Sequence, residues 1–330
     1  MSFDVYGSAN KPKTESNVDF DALNNHVIEV AQLQTPETLT GVVSMIVDLG
    51  NQERADAEQV VTMTPEQEAE AIAKQPNTYF KDGVDKVTGA KVRLKCWPQK
   101  PIQKVAIAVD FPEIIVDKGQ FFGESKPLPL RMWLGGKFYM ENSGMIIQNP
   151  TELKELYRED IKAWSFDKKH LFHKMAVGAK LISPDDIFKP ANITDLLGQA
   201  LQFQAQIFMK AGKNGKSYYT ENIKFVGGLG RGAVVPKHNI VPQLIQFRNE
   251  NDVEALKHLP NHVINTMKRA LNWNDDTTVV RKQLESLQGE SPSAVVNNAP
   301  VEKKVTQQVV QQANVQADVD DGFDESDDPF

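Results

Sequence analysis

The spacing of apolar and polar positions changes period several times along this chain. In LQFQAQIFM (201–209), Leu201, Phe203, Ala205 and Ile207 alternate with glutamines and larger groups, the two-residue period of a half-buried strand. The chain then turns through KAGKNGK and returns as SYYTENIKFV. Asn214-Gly215 between the two runs predicts a hairpin. KVRLKCW (91–97) also alternates, placing Lys91, Arg93, Lys95 and Trp97 on one strand face and Val92, Leu94 and Cys96 on the other. TLTGVVSMIVDLG (38–50) is Val- and Ile-rich and reads as a strand. KVAIAVDFPEIIVD (104–117) predicts two strands meeting at Pro112. In LPLRMWLGGKFYM (128–140), Gly135 and Gly136 are available for a hairpin turn.

Helical signals fall between these runs. A short helix is predicted just after Asp19. TMTPEQEAEAIAKQ (62–75) offers Thr64 as N-cap, Pro65 at the first helical position and Glu and Gln in the first turn. TELKELYREDIKAW (151–164) reads as helical with Thr151 as N-cap, and KKHLFHKMAVGAKLI (168–182) repeats apolar residues at helical spacing until Pro184 stops it. Residues 249–271 look helical with an interruption at Pro260, and GGLGRGAVVP (227–236) is a glycine-rich loop. The fold class expected is mainly β with added helices (α+β).

Composition divides the chain. Residues 1–18 are polar and read as a disordered N-terminal arm, residues 19–285 as the folded body, and residues 286–330 as a disordered linker and tip. The net charge is -7 over 330 residues, yet residues 318–330 (DVDDGFDESDDPF) alone hold seven acids and no base. The rest of the chain is therefore neutral in sum and uneven in detail. Residues 81–139 carry eleven bases against six acids, and residues 198–248 carry seven bases against the single acid Glu221. A basic body with an acidic arm suggests a polyanion-binding surface and an anionic segment able to compete for it. The plainer alternative is that the lysines solvate ordinary strands.

No stretch reaches ~18 consecutive apolar residues, so no membrane partner is expected. No secretory signal is read at the start, and one cysteine, Cys96, makes neither an internal disulfide nor a cysteine-based zinc site. A cytoplasmic setting is expected. His170 and His173, and His258 and His262, have spacings that could share a helix face. They read as packed or solvated histidines, because Pro260 splits the second pair and the first lacks a third ligand. GGLGRG (227–232) lacks the Gly-Lys-Ser/Thr ending of a phosphate-cradling loop. No catalytic residue, cofactor or metal is expected.

Basic and aromatic residues interleave in three places. Single-stranded nucleic acid needs cations along a groove and aromatic faces for bases, each stacked base being worth about 1–3 kcal/mol. The first cluster is Lys91, Arg93, Lys95, Trp97 and Lys100; the second is Arg131, Trp133 and Lys137. The third is Lys213, Lys216, Tyr218, Tyr219, Lys224 and Phe225, followed by Arg231.

The C-terminus sharpens this reading. A Gln-rich tether of about thirty residues leads to an acidic tip closing in Asp327, Asp328, Pro329 and Phe330. This resembles the tail of bacterial and phage single-stranded DNA-binding proteins, whose acidic Pro-Phe tip is bound by partner enzymes. It departs from the bacterial pattern at Asp328, where Ile usually precedes the proline. The strand, Gly/Lys-rich turn and Tyr-Tyr-x-Glu-Asn-Ile of 199–228 are similar to the later strands of OB-folds in phage members of that family. The resemblance implies an OB-like five-stranded barrel with helical insertions, sequence-nonspecific binding of single-stranded DNA, and a non-enzymatic role in phage DNA replication, recombination and repair in the host cytoplasm. It implies recruitment of replication and recombination proteins through the tip, and leaves homo-oligomerisation open. Two other classes compete: a metal-dependent nuclease or recombination enzyme with scattered acids, and a viral scaffold or structural protein.

Overall fold

The computed structural model describes residues 19–85, 88–134, 136–140, 144–148, 151–211 and 217–289. Helix α1 (Phe20–Ala31) starts where Asp19 caps it, Oδ1 accepting from Ala22 N at 2.9 Å. Strand β1 (Glu37–Gln52) follows. Then come β2 (Ala57–Val61), α2 (Pro65–Lys74), β3 (Tyr79–Val84), β4 (Lys91–Trp97) and β5 (Ile102–Val116). After these lie β6 (Leu128–Leu134), β7 (Gly136–Met140), β8 (Gly144–Gln148), β9 (Thr151–Glu152), β10 (Leu156–Arg158) and β11 (Ala163–Ser165). The chain continues through α3 (Leu171–Gly178), β12 (Ala200–Ala211), β13 (Ser217–Gly227) and β14 (Gln243–Ile245). It closes with α4 (Val253–Lys257), α5 (Asn261–Lys268) and α6 (Val279–Gly289).

The architecture is mixed α+β with mostly antiparallel sheets. The main sheet runs β13-β12-β1-β5-β6, with β14 parallel on β1 and β9 antiparallel on β5. Beyond the two edges, β13 lies against β6 and β7. β1 and β5 are central and apolar on both faces because a core lies on each side. On one face Val43, Ile46, Ile107, Val109, Leu201, Phe203 and Ile207 pack together with Phe166, Phe172 and Phe188. On the other, Met45, Val47, Leu49, Ala106 and Ala108 meet Phe247, Leu256, Met267 and Trp273 of the C-terminal helical layer. A register shift between Val43 and Met45 lets the uninterrupted run VVSMIVDL feed both cores.

Residues 53–101 are an insertion in the β1–β5 hairpin, a three-stranded sheet ordered β2-β4-β3 with α2 beside it. α2 forms where the local signals placed it. Thr64 and Gln67 make the reciprocal capping box, with Thr64 N donating to Gln67 Oε1 at 2.9 Å.

Three expectations are corrected. Residues 151–165 form the short strands β9, β10 and β11 instead of a helix, because β9 pairs with β5 (Val105↔Thr151) and Tyr157 pairs across to Trp164. Residues 104–116 lie in one strand, β5, with Pro112 in a register irregularity between Phe111 and Ile115. β7 pairs with β8 instead of β6, so no β6–β7 hairpin forms at Gly136; Gly135 lies outside the described residues. Elsewhere the patterns agree. Leu201, Phe203, Ala205 and Ile207 are all fully buried, α3 occupies 171–178, and Pro260 precedes α5 at its N-cap. The hairpin turn at Asn214-Gly215 and the tail from residue 290 lie outside the described residues.

Candidate nucleic-acid interface

The alternation of β4 is realised: Leu94 and Cys96 are buried while Lys91 is exposed and Lys95 and Trp97 are partly exposed. The cationic face is not uniformly free. Arg93 lies under α2, where its Nε and Nη2 donate to Glu68 at 2.8 and 2.9 Å and its Nη1 to Asp82 at 2.9 Å. These bonds, Glu68 first, raise the guanidinium's pKa and lower that of Glu68. Arg93 thus joins α2 to the sheet, its guanidinium committed to two carboxylates.

Beside it, Lys95 Nζ stands 5.8 Å from the centre of the Trp97 ring, a cation–π distance. The two side chains form a wall of an open cleft of about 480 Å³, completed by Gln75, Asn77, Thr78 and Pro98. That volume falls in the range of ~300–1,000 Å³ typical of small-ligand sites. Lys91 and Lys100 are exposed nearby in sequence, and Lys91, Lys95 and Lys100 form no ion pair among the described residues. An indole face, ammonium groups and amide edges can respectively stack on a base, meet phosphates and hydrogen-bond base edges.

The second predicted cluster is dispersed. Arg131 Nε and Nη2 clamp the buried carboxylate of Asp110 at 2.7 and 2.9 Å, and Ser44 Oγ donates to the same Oδ1 at 2.8 Å. Trp133 turns into the helical layer, its ring edge-to-face with His262 at 6.0 Å. Both side chains are thus engaged by protein partners, and both stay partly exposed. The side chain of Lys137 lies outside the described residues.

The third cluster is divided by β-strand parity. Tyr219 points inward against the main core, and its hydroxyl donates to Glu221 at 2.8 Å. Burial pushes both groups' pKa upward, with Lys118 opposing the rise on Glu221. Phe225 also points inward, 5.9 Å from Phe203 in a T-shaped pair. Tyr219 and Phe225 are therefore partly buried on the core-facing side of β13. Lys224 alternates to the outer side, and Arg231 is exposed in the following loop; neither forms an ion pair among the described residues. Lys213 and Lys216, the side chain of Tyr218, and Asp327, Asp328, Pro329 and Phe330 lie outside the described residues.

His170 caps α3, its Nδ1 accepting from Phe172 N, while its Nε2 lies 2.9 Å from Glu152 O. His173 Nε2 sits 3.3 Å from Asp186 O. Both histidines are thereby committed to the backbone.

The outward pair Tyr157 and Trp164 was not anticipated. A helical reading of 151–164 hid it; the run Leu-Tyr-Arg followed by Ala-Trp-Ser is the alternation that could have exposed it. Comparison with family models, with curated proteins and with solved structures finds nothing similar to this chain.

Proposed function

We propose that this protein binds single-stranded DNA without sequence preference, as a non-enzymatic coat, and recruits replication and recombination proteins through its acidic tip during phage DNA replication. The main sheet is read here as an OB-type barrel. In support, three strands (β1, β5, β6) form a meander, β12 pairs with β1, and β13 returns antiparallel to lie against β6. One observation carries the functional reading. The second half of the β1–β5 connection (81–100) carries six bases against two acids, and Lys213 and Lys216 fall between β12 and β13; these are the two loops that flank the oligonucleotide in OB-folds. The outer face of β1 and β5 is taken by the C-terminal helices. The contacts therefore move off that face and onto the insertion, where Lys95 and Trp97 line the cleft and Lys91 and Lys100 are exposed, with Lys224 and Arg231 added from β13 and the loop after it.

Titration with oligo-dT at two salt concentrations, followed by tryptophan fluorescence, tests this. Of the four tryptophans, Trp133 and Trp273 are packed in the helical layer, so quenching reports on Trp97 and Trp164. Quenching that weakens steeply with salt and is absent with duplex DNA is expected, since lysines release condensed counterions. Trp97→Ala is expected to weaken binding by about 1–3 kcal/mol. Absence of any oligo-dT binding refutes the proposal. Removal of residues 318–330 is expected to tighten DNA binding and abolish recruitment; looser binding refutes the competing-arm idea.

A further inference from the structure

Tyr157 and Trp164 face each other across the β10–β11 ladder with ring centres 5.8 Å apart at 66°, and they remain 45% and 58% exposed. Large aromatic groups so open to water on a short hairpin contribute little to the core. The hairpin's position is nevertheless held firmly. On its other face Arg158 is buried, donating to Asp160 Oδ2 at 2.6 Å and Asp186 O at 3.2 Å, and Ser165 Oγ bonds Phe188 O at 2.9 Å. The rings thus stand on a rigid support, as a preorganised contact surface requires.

The hairpin is also joined to the root of the insertion. Leu153 N donates to Gln103 O at 2.8 Å, and the Glu152 carboxylate meets Arg54 Nε at 3.0 Å and Lys104 Nζ at 3.8 Å. Tyr157 follows Leu153 by four residues, and Lys100 precedes Gln103 by three. At ~3.6 Å per residue plus ~5 Å between strands, the two lie at most about 30 Å apart, and Trp97, three residues before Lys100, lies at most about 41 Å from Tyr157.

We propose that the Tyr157–Trp164 pair is a second base-stacking station, over which a single strand continues after leaving the Lys95–Trp97 cleft. The inference rests on the single-stranded-DNA reading above and extends its interface onto an element outside the barrel loops. Nearby charges define the kind of contact. Lys154 and Lys162 are balanced by Glu155 and Glu159, while Asp160 is held by Arg158 and Lys168. With no net cationic excess, this station acts through ring faces and not through phosphates. Its loss changes affinity and leaves the salt dependence alone.

The test uses the full chain and a series of fluorescently labelled oligo-dT lengths, read by anisotropy at several salt concentrations. Trp164→Ala and Tyr157→Ala are each expected to weaken binding of the longer oligonucleotides by about 5- to 150-fold. Binding of the shortest ones, which fill the cleft alone, stays unchanged, and so does the salt slope. Trp164→Phe keeps an aromatic face and restores most of the affinity. Thermal unfolding verifies that the variants are folded. If the wild type binds and both alanine variants match it at every length, the second station is refuted while the binding function stands. A loss equal at all lengths, or accompanied by a shallower salt slope, also refutes a separate stacking station. If the wild type binds no oligo-dT, both readings fall.

Discussion

Arg131 offers a direct separation of stability from binding. By sequence it belongs among the DNA-facing cations; by structure it neutralises Asp110. The Asp110 side chain is only 6% exposed, and its carboxylate accepts from Arg131 Nε at 2.7 Å, Arg131 Nη2 at 2.9 Å and Ser44 Oγ at 2.8 Å. Arg131→Met deletes two of these three bonds and leaves a buried charge with one hydroxyl partner. Breaking a fully buried pair in this way costs about 3–5 kcal/mol. The Arg131 side chain is 29% exposed, so water reaches part of the vacated space, and we reduce the figure to about 2–3 kcal/mol. At ~2–3 °C per kcal/mol for a domain of this size, melting falls by about 4–9 °C. Urea unfolding gives the free energy directly, and an unchanged slope shows that the same surface is exposed in both proteins. The double variant Arg131→Met with Asp110→Asn recovers part of the loss, since the stranded charge is gone. Oligo-dT affinity of the folded variant stays within twofold. Unchanged stability together with a clear loss of DNA affinity and a shallower salt slope would show that Arg131 is a phosphate ligand, and the argument from its buried partner would be wrong.

Other outcomes follow from the same geometry. Gly50→Ala places a Cβ at 2.6 Å from Phe247 and 2.9 Å from Ala270, at a φ of +75°, and is expected to cost about 2–4 kcal/mol in urea unfolding. Phe203→Ala empties a fully buried site between Phe111 and Phe225 and is expected to cost about 3–5 kcal/mol, whereas the same assay on Trp164→Ala shows little change. Glu221 has its pKa raised above 4.5 by burial, so the folded state holds its proton more tightly than the unfolded state. Its contribution to stability is greatest below about pH 4.5 and is lost as pH rises through the folded-state value; Glu221→Gln is expected to flatten that decline in unfolding free energies measured across pH.

Local chemistry was readable in the chain itself. The capping box at Thr64 and Gln67, the proline at the head of α2 and the strict alternation of Leu201, Phe203, Ala205 and Ile207 each act within a few residues, so sequence spacing alone determined those elements. The same alternation correctly assigned the two faces of β4. It could not say which cations on the outward face stay free. Arg93 is taken by Glu68, 25 residues earlier, and Arg131 by Asp110, 21 residues earlier; an ion pair depends on distance in space, which periodicity does not encode. Parity also turned Tyr219 and Phe225 inward once β13 paired with β12, although their sequence neighbourhood is basic. Residues 151–165 carry helical signals yet became strands, because pairing with β5 and across the Tyr157–Trp164 ladder outweighs weak intrinsic propensity. Element types thus came largely from the sequence, while the free or committed state of each charge and ring was decided by tertiary neighbours, because burial and pairing are properties of where distant segments meet.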